Sequence, residues 1–401
     1  MRVNGRIFGL GVIAVAIAGC AIGSPGASSI RAAAPAAANY QYTSLYSFTG
    51  VPDGSVPGRE ILVDANGTLY GATRFGGTGQ CYNASSSLIG CGTVFTFDIA
   101  SDEERVLYSF QGPPDATDSF AGLLLVHGEF YGTTLDGGSR NHGAVFEVNA
   151  SGEERKLHSF RGSSGSKPEA ALTLLRGKFY GTTREDGRWN DGMIFEMAPS
   201  GRTRILHTFS GASGDGATPY APLAVLDGRL YGTTTAGGAY GKGTVFETDT
   251  SGTTQTVYSF GGTSGDGTDP QGGLTVRDGV LYGTTSFGGA YGYGTVFEMT
   301  TSGEEHKLYD FEGGMDGATP ACELLFLDGT FYGSTKYGGP ANDGTVFAIS
   351  TSGLERVLYQ FQSSPDGINP VGGFLAVHRV LYGLTAIGGS HGEGTIYRIR
   401  V

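Results

Sequence analysis

A chain of 401 residues with a formal charge of −12 has no basic stripe, which argues against nucleic acid and anionic lipid surfaces as partners. Glycine supplies 71 residues, more than twice the roughly 7% of an average protein, yet the glycines recur at fixed spacing and so exclude a low-complexity chain. Length alone leaves open two or three ordinary domains or one large all-β domain.

The chain begins MRVNGRIFGLGVIAVAIAGC, with Arg2 and Arg6 ahead of an apolar run from Ile7 to Ala18. The run is too short to span a bilayer and ends in small residues, so it reads as an export signal. Ile17-Ala18-Gly19-Cys20 resembles the bacterial lipobox. That resemblance implies cleavage before Cys20, whose sulfur and amino group then carry lipid; the plainer reading is an ordinary signal with a chance cysteine. Residues 1–19 are therefore expected to be a lipoprotein signal peptide. Residues 20–41, rich in Ala, Ser and Pro and without a period, form a flexible tether from lipid-bearing Cys20. Acyl chains contribute about 0.8 kcal/mol per buried CH₂, which makes a membrane the first expected partner. Losing Arg2 and Arg6 with the signal takes the formal charge from −12 to −14.

From residue 42 onward three phrases recur, seven times each. The LYSF phrase ends at Phe48, Phe110, Phe160, Phe209, Phe260, Phe311 and Phe361; YGTT or a near variant begins at Tyr70, Tyr131, Tyr180, Tyr231, Tyr282, Tyr332 and Tyr382. The GTVF phrase has its aromatic at Phe95, Phe146, Phe195, Phe246, Phe297, Phe347 and Tyr397. Tyrosine-to-tyrosine spacings are 61, 49, 51, 51, 50 and 50, the outlier coming from an insertion between Tyr70 and Thr93. In the fifth copy GGLTVR, the turn Asp278-Gly279 and VLYGTT make a hairpin, since Asp-Gly supplies the positive φ that a two-residue turn needs. These are strands a and b; GTVFEM and HKLYDF are strands c and d.

Four antiparallel strands in about fifty residues, repeated seven times, predict a seven-bladed β-propeller over residues 42–401. The ends support closure: YTSLYSF at 42–48 is a d strand with no blade of its own, and GTIYRIRV at 394–401 is a c strand with no d strand after it. Pairing residues 42–48 with 394–400 completes the last blade and leaves no long open edge. YGTT, then GG, then GxGTVF, then SG at this spacing resembles the GloVer tandem-repeat family of exported bacterial proteins. The resemblance covers residues 42–401 and implies export and a repeat ring, with no activity to carry over. The third copy departs from it, reading REDGRWNDG where others have a Gly-Gly pair.

The b-to-c and d-to-a loops share one face. Its d-to-a loops carry Asp53, Asp115, Asp215, Asp266, Asp316 and Asp366, and its b-to-c loops carry Trp189, Tyr240, Tyr291, Tyr293, Tyr337, Phe75 and Phe287. Aromatic faces beside acids suit sugar rings, so Trp189, Tyr240, Tyr291, Tyr293 and Tyr337 with Asp53, Asp215, Asp266, Asp316 and Asp366 are the expected ligand-binding residues; the competing reading is that the aspartates cap their own turns and the aromatics cover neighbouring loops. Too few acids per loop stand together for calcium, and no metal or cofactor is expected. Cys81 and Cys91 flank YNASSSLIG in the insertion and predict a disulfide in an exported chain, while Cys322 reads as buried filler.

Catalytic motifs are incomplete. Gly388-Gly389-Ser390-His391-Gly392 matches GxSxG but lies between two strands rather than at a strand-to-helix elbow. GGAYGKGT around Lys242 lacks the Ser or Thr and the helix of a phosphate loop, and no HExxH is present. The leading expectation is a monomeric, lipid-anchored binding or scaffold protein of the cell envelope, its partner a polysaccharide or an envelope protein. The alternative is a carbohydrate-active hydrolase or lyase using carboxylates that converge at the channel mouth.

Overall fold

The computed structural model describes residues 40–59, 63–65 and 67–401; the expected signal peptide, Cys20 and nearly all of the tether lie outside them. The described chain is all-β apart from one 3₁₀ turn. It forms seven blades, each of four antiparallel strands in the order a-b-c-d, with strand a in two pieces in blades one, four and six and its outer piece pairing separately with the end of strand b in blades two and five. In blade five the four are Thr275–Arg277, Val280–Thr285, Thr295–Met299 and Glu305–Asp310. Closure is as the sequence predicts: Gln41–Ser47 pairs with Thr395–Arg400, Tyr42 opposite Ile399 and Ser47 opposite Thr395.

Each letter of the repeated phrases has a physical task. The glycine of YGTT lies opposite the GTVF aromatic across the b–c ladder, and a Cβ on Gly283 would stand 2.6 Å from Cζ of Phe297, so only glycine lets the ring cover the strand. The first threonine ties blades together: Thr133 Oγ1 donates to Ala170 O of the next blade at 3.0 Å, and Thr284 Oγ1 to Cys322 O at 3.1 Å. The second threonine bonds the threonine of GTVF, as in Thr285–Thr295 at 2.8 Å. The glycine of GTVF leaves room for a proline of the following blade; a Cβ on Gly294 would lie 2.7 Å from Cδ of Pro320, and one on Gly394 2.6 Å from Cδ of Pro57 across the closing seam.

Aromatic rings fill the seams. The LYSF phenylalanine of one blade meets the GTVF aromatic of the next edge-on, from Phe48–Phe95 at 5.1 Å through Phe209–Phe246 at 5.1 Å to Phe361–Tyr397 at 5.3 Å. Edge-to-face pairs add about 0.5–1.5 kcal/mol beyond their buried area, so seven such seams favour seven wedges over an open stack.

Strand a is longer than its sequence pattern suggests. In blade four it runs as Gly216–Pro219 and Ala224–Leu226, both paired with Arg229–Gly237; in blade seven it is the single strand Gly367–Val377, whose register shifts between Val371 and Leu375. The interruption is a bulge. It follows a residue with positive φ in every blade: Val56, Asp118, Lys167, Thr218, Asp269, Thr319 and Asn369, all between 52° and 60°. Such a backbone is costly for β-branched residues, and here it turns the following segment of strand a towards the ring axis.

A candidate binding site in the channel

Residues of this bulge from blades one, three, four, five, six and seven line one lower cavity of ≈ 110 Å³, and a second of ≈ 290 Å³ lies towards the Gly-rich face. Only strands that surround the axis can meet this way, so strand a lines the channel. The position after the bulge proline, or its equivalent, differs in every copy: Gly58, Phe120, Glu169, Tyr220, Gln271, Ala321 and Val371. The position after YGTT also varies, with Arg74, Leu135, Arg184, Thr235, Ser286, Lys336 and Ala386, arginine alone occurring twice. Blades one to four thereby supply charge and aromatic rings, while the facing wall is mostly small.

These residues interleave. Arg184 Cζ lies 5.7 Å from the Tyr220 ring, Arg59 Cζ lies 4.4 Å from Tyr220 and 5.5 Å from Phe120, and Arg74 Cζ lies 4.7 Å from Phe120. The two rings stand 6.4 Å apart, edge to face. Arg59 crosses from blade one to the far side, where its Nη2 donates to Gln271 Oε1 at 3.2 Å, and so separates the two cavities. Arg74 holds Asp118 through two bonds of 2.7 and 2.9 Å, and Arg184 donates to Glu169 at 2.8 Å. Among the described residues, Arg59 and Lys336 form no ion pair with a carboxylate.

Two acids line the lower cavity. Glu169 is 5% exposed, with Oε2 buried and unpaired, and burial pushes its carboxyl up against the pull of Arg184. Glu323 keeps an exposed side chain within the channel, yet the surrounding protein desolvates its carboxyl and pushes it up to about 7.

The sequence-predicted aspartates lie elsewhere, between strand d and strand a. Asp53 accepts from Tyr46 Oη and Thr49 N, both at 2.9 Å; Asp266 accepts from Tyr258 Oη at 3.1 Å and Gly261 N at 2.7 Å; Asp366 accepts from Tyr359 Oη at 2.7 Å and Gln362 N at 3.0 Å. Asp115, Asp215 and Asp316 repeat the arrangement, with His207 in the tyrosine position beside Asp215. This is turn closure by the carboxylate oxygens. Trp189, Tyr240, Tyr291, Tyr293 and Tyr337 stand on the b-to-c loops, 37–56% exposed. Arg188 covers Trp189 at 4.7 Å, and Tyr240 and Tyr293 pack over Gly262 and Gly313 of adjacent d-to-a loops.

The expected disulfide is present: Cys81 and Cys91 bridge with Cα atoms 5.1 Å apart. Cys322 is buried in the bulge of blade six, its thiol donating to Ser334 O at 3.4 Å. Ser390 and His391 bond each other at 3.0 Å on an exposed loop. Among the described residues no three His, Cys, Asp or Glu side chains are grouped to hold a metal. Sequence reasoning passed over Arg59, Arg74, Phe120, Glu169, Arg184, Tyr220 and Glu323; superposing the seven copies and asking which letters change between fixed ones would have found most of them.

Fold and site together define a seven-bladed β-propeller with a regular frame and an irregular, charged channel. The chain belongs to the Gloeobacter/Verrucomicrobia repeat family, whose model matches residues 79–275 and 263–401. No curated protein matches. Among solved structures it is similar to an oligogalacturonate lyase from Vibrio parahaemolyticus, at 10% identity, TM-score 0.51, 90% of this chain and 93% of that one. It is also similar to an oligogalacturonate lyase in complex with manganese, at 12% identity, TM-score 0.49, covering 88% and 98%. A gluconolactonase from Xanthomonas campestris matches at 12% identity and TM-score 0.41, covering 68% and 82%.

Proposed function

We propose that this protein is an exported, lipid-anchored binding protein that takes the end of an acidic saccharide into the mouth of its channel. The likeness to lyases reaches the fold alone, so the reading rests on the chain's own residues. The observation that carries it is the interleaved stack of Arg74, Phe120, Arg59, Tyr220 and Arg184. Aromatic faces take the C–H faces of a sugar ring, and a guanidinium takes a carboxylate in a planar, two-bond grip. Among the described residues, Arg59 and Lys336 are channel cations with no ion pair to a carboxylate, and an incoming carboxylate would draw Arg59 from Gln271. An upper cavity of ≈ 290 Å³ is at the small end of ligand pockets, which suits one terminal sugar unit with the rest of the chain outside. Trp189, Tyr240, Tyr291, Tyr293 and Tyr337 then serve as rim contacts for that remainder. Export is supported by the Cys81–Cys91 bridge, which belongs in an oxidising compartment; anchoring rests on Cys20.

A second reading has its own observation: Glu169 and Glu323 line one cavity, and an upward-shifted carboxyl there suits a general acid for hydrolysis or elimination. A glycan array probed with the full chain tests the first reading. Binding confined to uronate-bearing glycans supports it, and binding to neutral glycans alone or to none overturns it. Turnover of a bound glycan, abolished by Glu323→Gln, would move the assignment to the second.

A further inference from the structure

Six of the seven d-to-a turns close on an aspartate, and the third does not. In the six, the carboxylate meets the ring of the LYSF tyrosine position at 2.7–3.1 Å. The third turn reads Arg161-Gly162-Ser163-Ser164-Gly165-Ser166. His158 occupies the tyrosine position there, and its Nε2 is buried with no hydrogen-bond partner. Its ring has the orientation of His207, the next copy along: His158 lies 4.9 Å from Phe160 at 79°, and His207 lies 4.8 Å from Phe209 at 81°. His207 Nε2 meets Asp215 at 3.1 Å, so His158 Nε2 faces the place of an acid that is missing. The backbone N–H of Arg161, which a carboxylate would accept, goes to Ser164 Oγ at 3.1 Å.

Blade five alone adds a second carboxylate beside the turn, where blade two keeps the serine of the LYSF phrase. In blade five Lys307 pairs with Asp310 at 2.9 Å, and Ala290 N donates to the same side chain at 2.8 Å. In blade two the matching residues are Lys156, Ser159 and Ser139; Ser139 N donates to Ser159 Oγ at 3.3 Å, and Lys156 donates to the Pro114 carbonyl. What remains is an open cavity of ≈ 390 Å³ lined by Lys156, His158, Ser159, Arg161, Ser164 and Ser139, with Leu157 as its apolar member and no acid. Of the neighbouring acids, Asp186 stands beside Gly162 of the same turn, with its buried Oδ2 3.3 Å from His142 Nδ1, and Glu154 faces Tyr108 and Asp115.

We propose that this pocket binds a tetrahedral oxyanion, phosphate or sulfate, which replaces the turn aspartate that the six sister copies hold and completes the seam between blades two and three. Lys156 and Arg161 balance a dianion, and His158 Nε2–H, the Ser139 and Ser159 hydroxyls and the guanidinium donate from several sides, while Ser164 Oγ donates to the Arg161 carbonyl at 3.2 Å. The same chemistry is offered by the free ion and by a phosphate or sulfate ester on a glycan. The site is on the outer seam, independent of the channel, and the channel reading stands or falls without it.

The test is thermal unfolding of the full chain with sulfate or phosphate against chloride at equal ionic strength, with titration calorimetry. An ion bound at well above its Kd should raise the midpoint by roughly 2–4 °C or more. Lys156→Ala with Arg161→Ala should weaken binding at least about tenfold. Ser164→Asp, which restores the sister arrangement, should raise the midpoint without the ion and remove the response to it. A sulfated oligosaccharide binding more tightly than inorganic sulfate assigns the pocket to an ester, and equal affinities assign it to the free ion. A folded wild-type chain that shows no oxyanion-specific shift, or a shift that survives all three substitutions, overturns the proposal.

Discussion

Phe48→Ala tests whether the first strand is part of the ring or a loose end. Phe48 is fully buried, edge-on to Phe95 at 5.1 Å and 5.2 Å from Tyr46, and it packs in one cluster with Leu69, Phe97, Tyr382, Leu384 and Ile396. Truncating a buried phenylalanine costs about 3–5 kcal/mol, the transfer of the lost ring plus the cavity left behind. Phe260 is the internal control: it is equally buried and stands 5.3 Å from Phe297. In a closed ring the two substitutions cost the same. With a urea m-value of about 3 kcal/mol/M, at the upper end for small proteins, both should lower the unfolding midpoint by roughly 1–1.7 M. A Phe48→Ala midpoint within error of wild type, beside a large fall for Phe260→Ala, would mean that the terminal strand frays and that closure contributes no stability.

Other outcomes follow from single contacts. Replacing Cys81 and Cys91 by serine opens a bridge that closes ten residues of chain and should cost about 2–3 kcal/mol; a wild-type midpoint under non-reducing conditions would contradict this. Gly283→Ala pushes a methyl into the Phe297 ring and should cost roughly 1–3 kcal/mol, read as a fall in melting temperature. At the blade seams desolvation, together with a neighbouring aspartate, pushes Glu104 up to about 8 and Glu154 and Glu305 up to about 7. The folded state then keeps protons that the unfolded chain releases near pH 4.5, so stability should fall as pH rises from about 4.5 to 8 and level off above that. Substituting all three by glutamine should flatten the profile between pH 5 and 9; an unchanged slope would place the effect elsewhere.

The ring was legible because its constraints repeat. Gly283 under Phe297, Thr285 on Thr295 and Gly294 under Pro320 recur from blade to blade, so the phrases carry the strand order, and the unmatched ends at 42–48 and 394–401 carry the closure. Strand a was underread because its bulge depends on positive φ at residues such as Val56 and Thr218, which no local composition announces. The channel was hidden for the opposite reason. Arg59, Glu169 and Tyr220 sit where copies differ and have no motif around them, and the contact of Arg59 with Gln271 joins residues 212 apart in sequence. Exposed aromatics drew attention to the rim, whereas the aspartates beside them close turns.

The most direct measurement is calorimetric titration of the full chain with an acidic oligosaccharide, repeated with Arg59→Ala, Tyr220→Ala and Trp189→Ala. Binding at the channel mouth predicts that loss of Arg59 or Tyr220 weakens affinity at least about tenfold, the effect of roughly 1.4 kcal/mol, and that loss of Trp189 does less. Affinity that survives both mouth substitutions but falls with Trp189→Ala would contradict the account and move the site to the rim.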